Sequence, residues 1–267
     1  MRASQPNSRG TWSYDGSLEG LVLLAHKAYA EGSAPETVAN ALAEESELFA
    51  LLGPAPFEPA AQYSSPSNLA TAAENAGAAL CAFSSELFGL VLRIWMSEEA
   101  LEPALLRLCA EAGLHGPEVI VNHGSSDVRL VARAALRVNR EIDRLEGLAR
   151  FSPGPNGLFC APLAPDANIA AALLPHFSRR FGSEDFALVD VKRRLAFARQ
   201  NGRFGASSGD EALAYLPNPE TARDEETELW RRYFKATENP ARRNPDLQRR
   251  LMPLRYWRYL PEIAGAR

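Results

Sequence analysis

Residues 127–148 constrain the fold more than any other stretch of the chain. Val128, Val131, Ala135, Val138, Ile142 and Leu145 recur at steps of three and four, and so do Arg129, Arg133, Arg137, Arg140 and Arg144. At about 100° per residue the two sets fall on nearly opposite faces of one long α-helix. The apolar stripe has to enter a core, and the arginine stripe has to meet solvent or a partner. Glu141 lies within helical reach of Arg137 and Arg144, and Asp143 of Arg140, so part of the stripe reads as an ordinary charged face. Arg129 and Arg133 have only Asp127 nearby and are candidates for contact with an anionic partner.

The period changes after this helix. Leu148–Ser152 and Leu158–Ala164 flank Pro153-Gly154-Pro155-Asn156-Gly157 and read as a hairpin. Asp166–Phe181 reads as an amphipathic helix. Phe186–Asp190 and Arg194–Arg199 read as a second hairpin turning near Val191–Arg193, and the glycine-rich run 202–209 reads as a flexible loop. Before the long helix, Trp12–Asp15 suits a short strand. Ser17 caps a helix that stops at Gly32. Pro35 opens a second helix to about Leu52, the proline-rich stretch 53–68 is a loop, and helices follow at Ala70–Trp95 and, behind Ser97, at Glu98–Ala112. A last long helix is expected behind Thr221 and ends at Pro240, with acids in its first turn and bases in its last. The expected fold is α+β: a mainly helical N-terminal half, a small antiparallel sheet of two hairpins in the middle, and C-terminal helices packed on it. Residues 1–11 form a loose tail, 12–126 an acidic helical region, and 127–267 a basic α+β region.

The 267 residues carry a net charge of −4, unevenly spread. Residues 1–130 hold 6 basic against 16 acidic side chains, and residues 131–267 hold 23 against 17. That split points to a local basic surface in the second half rather than to a generally basic protein. With no apolar run long enough to span a bilayer and no apolar signal core at the start, the expectation is a cytoplasmic protein with no membrane contact. Cys81, Cys109 and Cys160 are odd in number and widely spaced. Neither a Cys-x-x-Cys pair nor a histidine–carboxylate spacing suggests a metal, and no cofactor is expected.

The basic excess concentrates at the C-terminal end. Arg242–Tyr259 holds six arginines, Tyr256, Trp257 and Tyr259, against the single acid Asp246. Guanidinium forks fit phosphate, and aromatic faces accept stacked bases. Asn244-Pro245 also reads as a helix start, with Leu247 and Leu251 packing inward. Arg242, Arg243, Arg249, Arg250 and Arg255 are the candidate phosphate contacts, and Tyr256 and Trp257 are candidates for stacking or for packing. His176, near a helix end, and Asp190, ending a strand, are the weak candidates for a general base. Neither a P-loop, nor a nucleophile elbow, nor a zinc-deaminase signature is present.

Three blocks carry a resemblance: Tyr14-Asp15-Gly16 followed by Leu18-Glu19-Gly20-Leu21; Arg150-Phe151 with Ala161–Pro165, His176-Phe177, Arg180-Phe181 and Asp190; and Leu229-Trp230, Tyr233-Phe234, Arg243-Asn244-Pro245, Leu247-Gln248 and Met252-Pro253-x-Arg255-Tyr256-Trp257. In these the chain resembles a bacterial family of unknown function associated with DNA repair and DNA metabolism. The resemblance implies a neighbouring radical-SAM protein as partner. In some members it implies an added C-terminal domain similar to a uracil-DNA glycosylase, which a chain ending at Arg267 is not expected to carry. The family often has a histidine where this chain has Asp143, and no catalytic residue carries over. The leading expectation is a DNA-binding accessory protein in repair or modification. An adaptor for the radical-SAM partner is the alternative, docking through the acidic half or the arginine stripe. An enzyme acting on a damaged base through His176 or Asp190 is the weaker one.

Overall fold

A computed structural model describes residues 10–40, 66–216 and 225–263. The fold is α+β, with helices in the N-terminal half, a small sheet in the middle and helices at the C-terminal end. The chain divides into two compact units, Met1–Val138 and Asn139–Arg267.

In the first unit, strand β1 (Thr11–Tyr14) alternates with period two and buries Trp12 and Tyr14. Ser17 caps helix α1 (Leu18–Glu31), accepting from the Gly20 amide, and Gly32 ends it in the left-handed conformation at φ 61°. The helix expected from Pro35 is not formed where the chain is described. Thr37–Asn40 is strand β2, running parallel to β1. Its pairing is set across 26 residues, with the Thr11 and Thr37 hydroxyls 2.7 Å apart, and local propensity could not reveal it. The rest of the expected helix lies outside the described residues.

The single helix expected over 70–95 is two, α2 (Pro66–Phe83) and α3 (Ser85–Ser97). Ser84 breaks them apart in extended conformation, its hydroxyl accepting from the Leu87 amide at 3.1 Å. Helix α4 (Glu102–His115) starts later than Ser97 suggested. The Ser97 hydroxyl donates to the Ile94 carbonyl at 2.7 Å and closes α3, and Pro103 fits the first turn of α4. Helices α1 and α4 pack closely: a Cβ at Gly113 would fall 2.0 Å from the Tyr29 carbonyl oxygen, so only glycine fits there. Helix α5 (Ser126–Leu148) sends Val128 and Val131 of its apolar stripe, with Ala134 beside them, into this unit's core.

The second unit is built on a five-stranded sheet ordered β3-β4-β5-β6-β7. Strands β3 (Ser152–Pro153) and β4 (Phe159–Leu163) form the first hairpin, and β5 (Phe186–Asp190) and β6 (Leu195–Gln200) the second. The two hairpins meet through a parallel pairing of β4 with β5, so the sheet is mixed rather than wholly antiparallel. The crossover carries helix α6 (Leu174–Phe181), much shorter than the 166–181 expected. Pro175 lies in its first turn, and the Asp166 and Ala167 amides are already taken by Glu141. Residues 203–208, expected as loop, form edge strand β7 (Arg203–Ser208), paired antiparallel to β6. It is exposed along nearly its whole length, which removes the alternation that marks strands in sequence.

Short helix α7 (Gly209–Leu213) follows, then α8 (Glu225–Thr237), whose expected Thr221 cap lies outside the described residues. Asn244 caps α9 (Pro245–Leu251), accepting from the Leu247 amide at 2.9 Å. Leu247 and Leu251 were expected to pack inward, yet they are 41% and 57% exposed. Anchoring comes from helix α10 (Leu254–Trp257) and the residues that follow it, where Tyr256, Leu260 and Ile263 are buried.

Candidate nucleic-acid interface

Arg255 and Tyr256 are held by a buried polar cluster around Glu141. This carboxylate is 4% exposed and accepts from the amides of Asp166 and Ala167, both at 2.9 Å, from Arg255 Nη2 at 3.0 Å, and from the Tyr256 hydroxyl. Burial alone would push its carboxyl up, but the bonds from Tyr256, Ala167, Asp166 and Arg255 together hold it below the ordinary range. Arg255 also pairs with Asp166 at 2.8 Å and donates to the Tyr256 oxygen at 2.9 Å. Burial and the bond to Glu141 push the Tyr256 phenol up, which keeps it a donor.

This cluster corrects three sequence expectations. Tyr256 is 2% exposed, so its ring is not available to stack on a base. Arg255 is compensated by two carboxylates and holds the C-terminal segment on Glu141. Glu141 is not a partner for solvent-facing arginines, because it points into the second unit. A signal for this was present: Glu141 lies three residues after Val138 and four before Leu145, inside the apolar stripe.

Three of the remaining C-terminal candidates line a groove of about 1020 Å³, and Arg242 and Arg250 are not among its lining residues. The three are Arg243, Arg249 and Trp257. Arg231, Phe234 and Lys235 of α8 join them. Read locally, Arg231 and Lys235 only complement the dipole of α8. The spacing of Arg231, Phe234 and Lys235 by three and four, which places them on one face, was the readable clue. Trp257 is half-buried and donates through its indole N–H to the Met252 carbonyl at 2.8 Å, which fixes the ring at the groove wall.

Four cations and two carboxylates, Glu238 and Glu262, line the groove. Glu262 is already paired with Arg150 at 2.7 Å, with its side chain 1% exposed. Arg243 lies 3.6 Å from Glu238 and Arg249 3.4 Å from Asp246, both as exposed pairs of little strength that a phosphate can displace. Arg231 is held by Glu228 and by the Pro261 carbonyl. Lys235, Arg242 and Arg250 are exposed and have no ion pair among the described residues. The groove therefore keeps a positive excess.

The other candidates are placed differently. Arg129 and Arg133 belong to the first unit. Arg129 donates to the His123 and Gly124 carbonyls at 2.7 and 2.9 Å and so braces the start of α5, while Arg133 is exposed. Asp190 is fully buried, and its two oxygens accept from the Arg193 amide at 3.1 Å and Arg193 Nη1 at 2.8 Å. It clamps the turn after β5, and its full burial keeps it out of reach of a substrate in solvent. His176 Nδ1 lies 3.4 Å from Glu146 at a partly exposed helix start. Among the described residues no group of three or more His, Cys, Asp and Glu side chains is placed to hold a metal ion, and no helix is long and apolar enough to cross a membrane.

The family model DUF4130, described as a domain of unknown function, matches residues 99–262, more than half of the chain. No curated protein and no solved structure matches it.

Proposed function

Taking as premise that this chain belongs to the DUF4130 family of unknown function, we propose that it is a DNA-binding accessory protein of DNA repair or modification. Binding would run through the C-terminal groove. The observation that carries this is the convergence of Arg231, Lys235, Arg243 and Arg249 with Phe234 and Trp257 around one concavity. Cations spaced along a groove follow a phosphate backbone, and aromatic walls add contacts to bases or sugars. Arg242 and Arg250, next to groove residues in the chain and without carboxylate partners among the described residues, extend the positive surface. Such contacts set affinity and register and do not read sequence.

Titration of fluorescently labelled DNA, single-stranded and duplex, at low and moderate salt tests the reading. Affinity should fall steeply as salt rises, because each neutralised phosphate releases counterions. Absence of binding at low salt, or binding indifferent to salt, refutes it.

A second reading rests on a different observation. Leu130 and Leu136 on α5 are 45% and 47% exposed beside Arg129 and Arg133, while Arg137 on the same face is paired with Glu99. An apolar and cationic helix face suits a protein partner, and family resemblance makes a radical-SAM protein the one to try. Separate elution of the two purified proteins counts against it.

A further inference from the structure

A second cavity in the same unit, of about 450 Å³, is walled by Phe151, Phe159, Phe181 and Trp230, with Arg150 and Arg180 beside them. Its size lies within the roughly 300–1,000 Å³ usual for small-molecule sites. The rings are held in place by one another: Phe151 meets Phe181 edge-on with centroids 4.6 Å apart, and Phe181 stacks on buried Phe186 at 5.3 Å. Arg150 is fixed by Glu262 and by the Gly147 and Ala149 carbonyls, and its guanidinium lies 5.3 Å from the Trp230 ring centre. Arg180 is exposed and has no ion pair among the described residues. None of the residues lining the cavity is acidic.

An apolar slot with π-faces on its walls, one uncommitted guanidinium at its edge and no carboxylate suits a flat aromatic group that carries an anion. That description fits a nucleotide better than an uncharged ligand or a cation. Helix α8 also links the cavity to the groove. Thr227 and Trp230 line the cavity, while Arg231, Phe234, Lys235 and Glu238 line the groove, and Pro261 lines both. The cavity and the groove thus share α8 and Pro261 as a common wall.

We propose that this cavity is a nucleobase pocket. It takes one unstacked base of a strand held in the groove, with Trp230 and the phenylalanines against the base and Arg180 at its phosphate. The proposal rests on the DNA-binding reading and adds where a base goes.

The test uses the full chain and a single-stranded oligonucleotide containing 2-aminopurine, whose fluorescence reports stacking. Deoxyadenosine monophosphate and base-free ribose 5-phosphate are titrated in parallel. Quenching on binding is expected, with quenching and about tenfold of the affinity lost in Trp230→Leu, as fits one base–aromatic contact. Arg180→Gln should weaken the mononucleotide several-fold with the fold intact by circular dichroism. Salt-dependent oligonucleotide binding with fluorescence that Trp230→Leu leaves unchanged overturns the pocket and spares the groove. Failure of both oligonucleotide and mononucleotide to bind overturns both. Mononucleotide binding that depends on Trp230, and exceeds that of ribose 5-phosphate, without oligonucleotide binding keeps the pocket and removes the groove.

Discussion

Replacing Glu141 should unfasten the C-terminal segment. The carboxylate is nearly inaccessible and accepts from two backbone amides, the Tyr256 hydroxyl and Arg255. In Glu141→Ala these donors lose their acceptor. A buried donor left unpaired costs about 1–3 kcal/mol, and breaking a buried ion pair costs about 3–5 kcal/mol. Arg255 keeps Asp166 at 2.8 Å, so its share is reduced and a total of about 3–5 kcal/mol is expected. Tyr256→Phe removes a single donor and should cost about 1 kcal/mol. In the double variant that cost should shrink, since the hydroxyl has then lost its acceptor and keeps only the bond from Arg255. Acid should weaken the wild type for the same reason. The Glu141 carboxyl is held below its unfolded value of about 4.3, so its contribution is full above that pH and is lost as pH falls through the folded value. Glu141→Gln should flatten this part of the acid limb. Urea unfolding followed by circular dichroism at pH 7 and below pH 4 measures all three effects. A loss under 1 kcal/mol for Glu141→Ala, or additive costs in the double variant, would refute the view that this cluster anchors the terminus.

The other predictions concern packing and reactivity. Gly113→Ala places a methyl against the Tyr29 carbonyl and should cost about 3 kcal/mol or more by forcing α1 and α4 apart, visible as a lowered melting temperature. Burial pushes the Cys109 and Cys160 thiols up to about 12, whereas Cys81 is exposed. A thiol reagent at pH 7.5 should therefore label one cysteine of the native protein quickly and three in urea, and fast labelling of two or more would contradict the burial. Asp190→Asn weakens the clamp on Arg193 at a fully buried site and should destabilise the protein by about 2–3 kcal/mol. An Asp190→Asn protein of unchanged stability would reopen a catalytic reading of that carboxylate.

Features that depend on near neighbours were legible in the sequence. The Ser17 and Asn244 caps, the Gly32 stop and the apolar stripe of α5 each follow from chemistry within a few residues. Features set at a distance were not. Strand β2 exists because β1 lies beside it, and β7 is an exposed edge that lacks alternation. The largest misreading had the same origin. The arginine and aromatic run at the C-terminal end looked uniform, yet its partners sort it. Tyr256 and Arg255 are claimed by Glu141, more than a hundred residues away, whereas Arg243 and Arg249 keep only weak exposed pairs and remain at the groove. The spacing of Arg231, Phe234 and Lys235 puts them on one face, but that α8 folds back onto Pro261 to make this face the groove's other wall is set at a distance.

The most direct test of the central claim is the salt slope of DNA binding for the wild type and for Arg243→Ala/Arg249→Ala. Both side chains are exposed, so the double variant should fold normally. If they contact phosphate, logarithmic affinity for duplex against logarithmic salt should lose about two units of slope, near 0.9 per contact. An unchanged slope in a folded variant would mean that DNA does not lie in this groove.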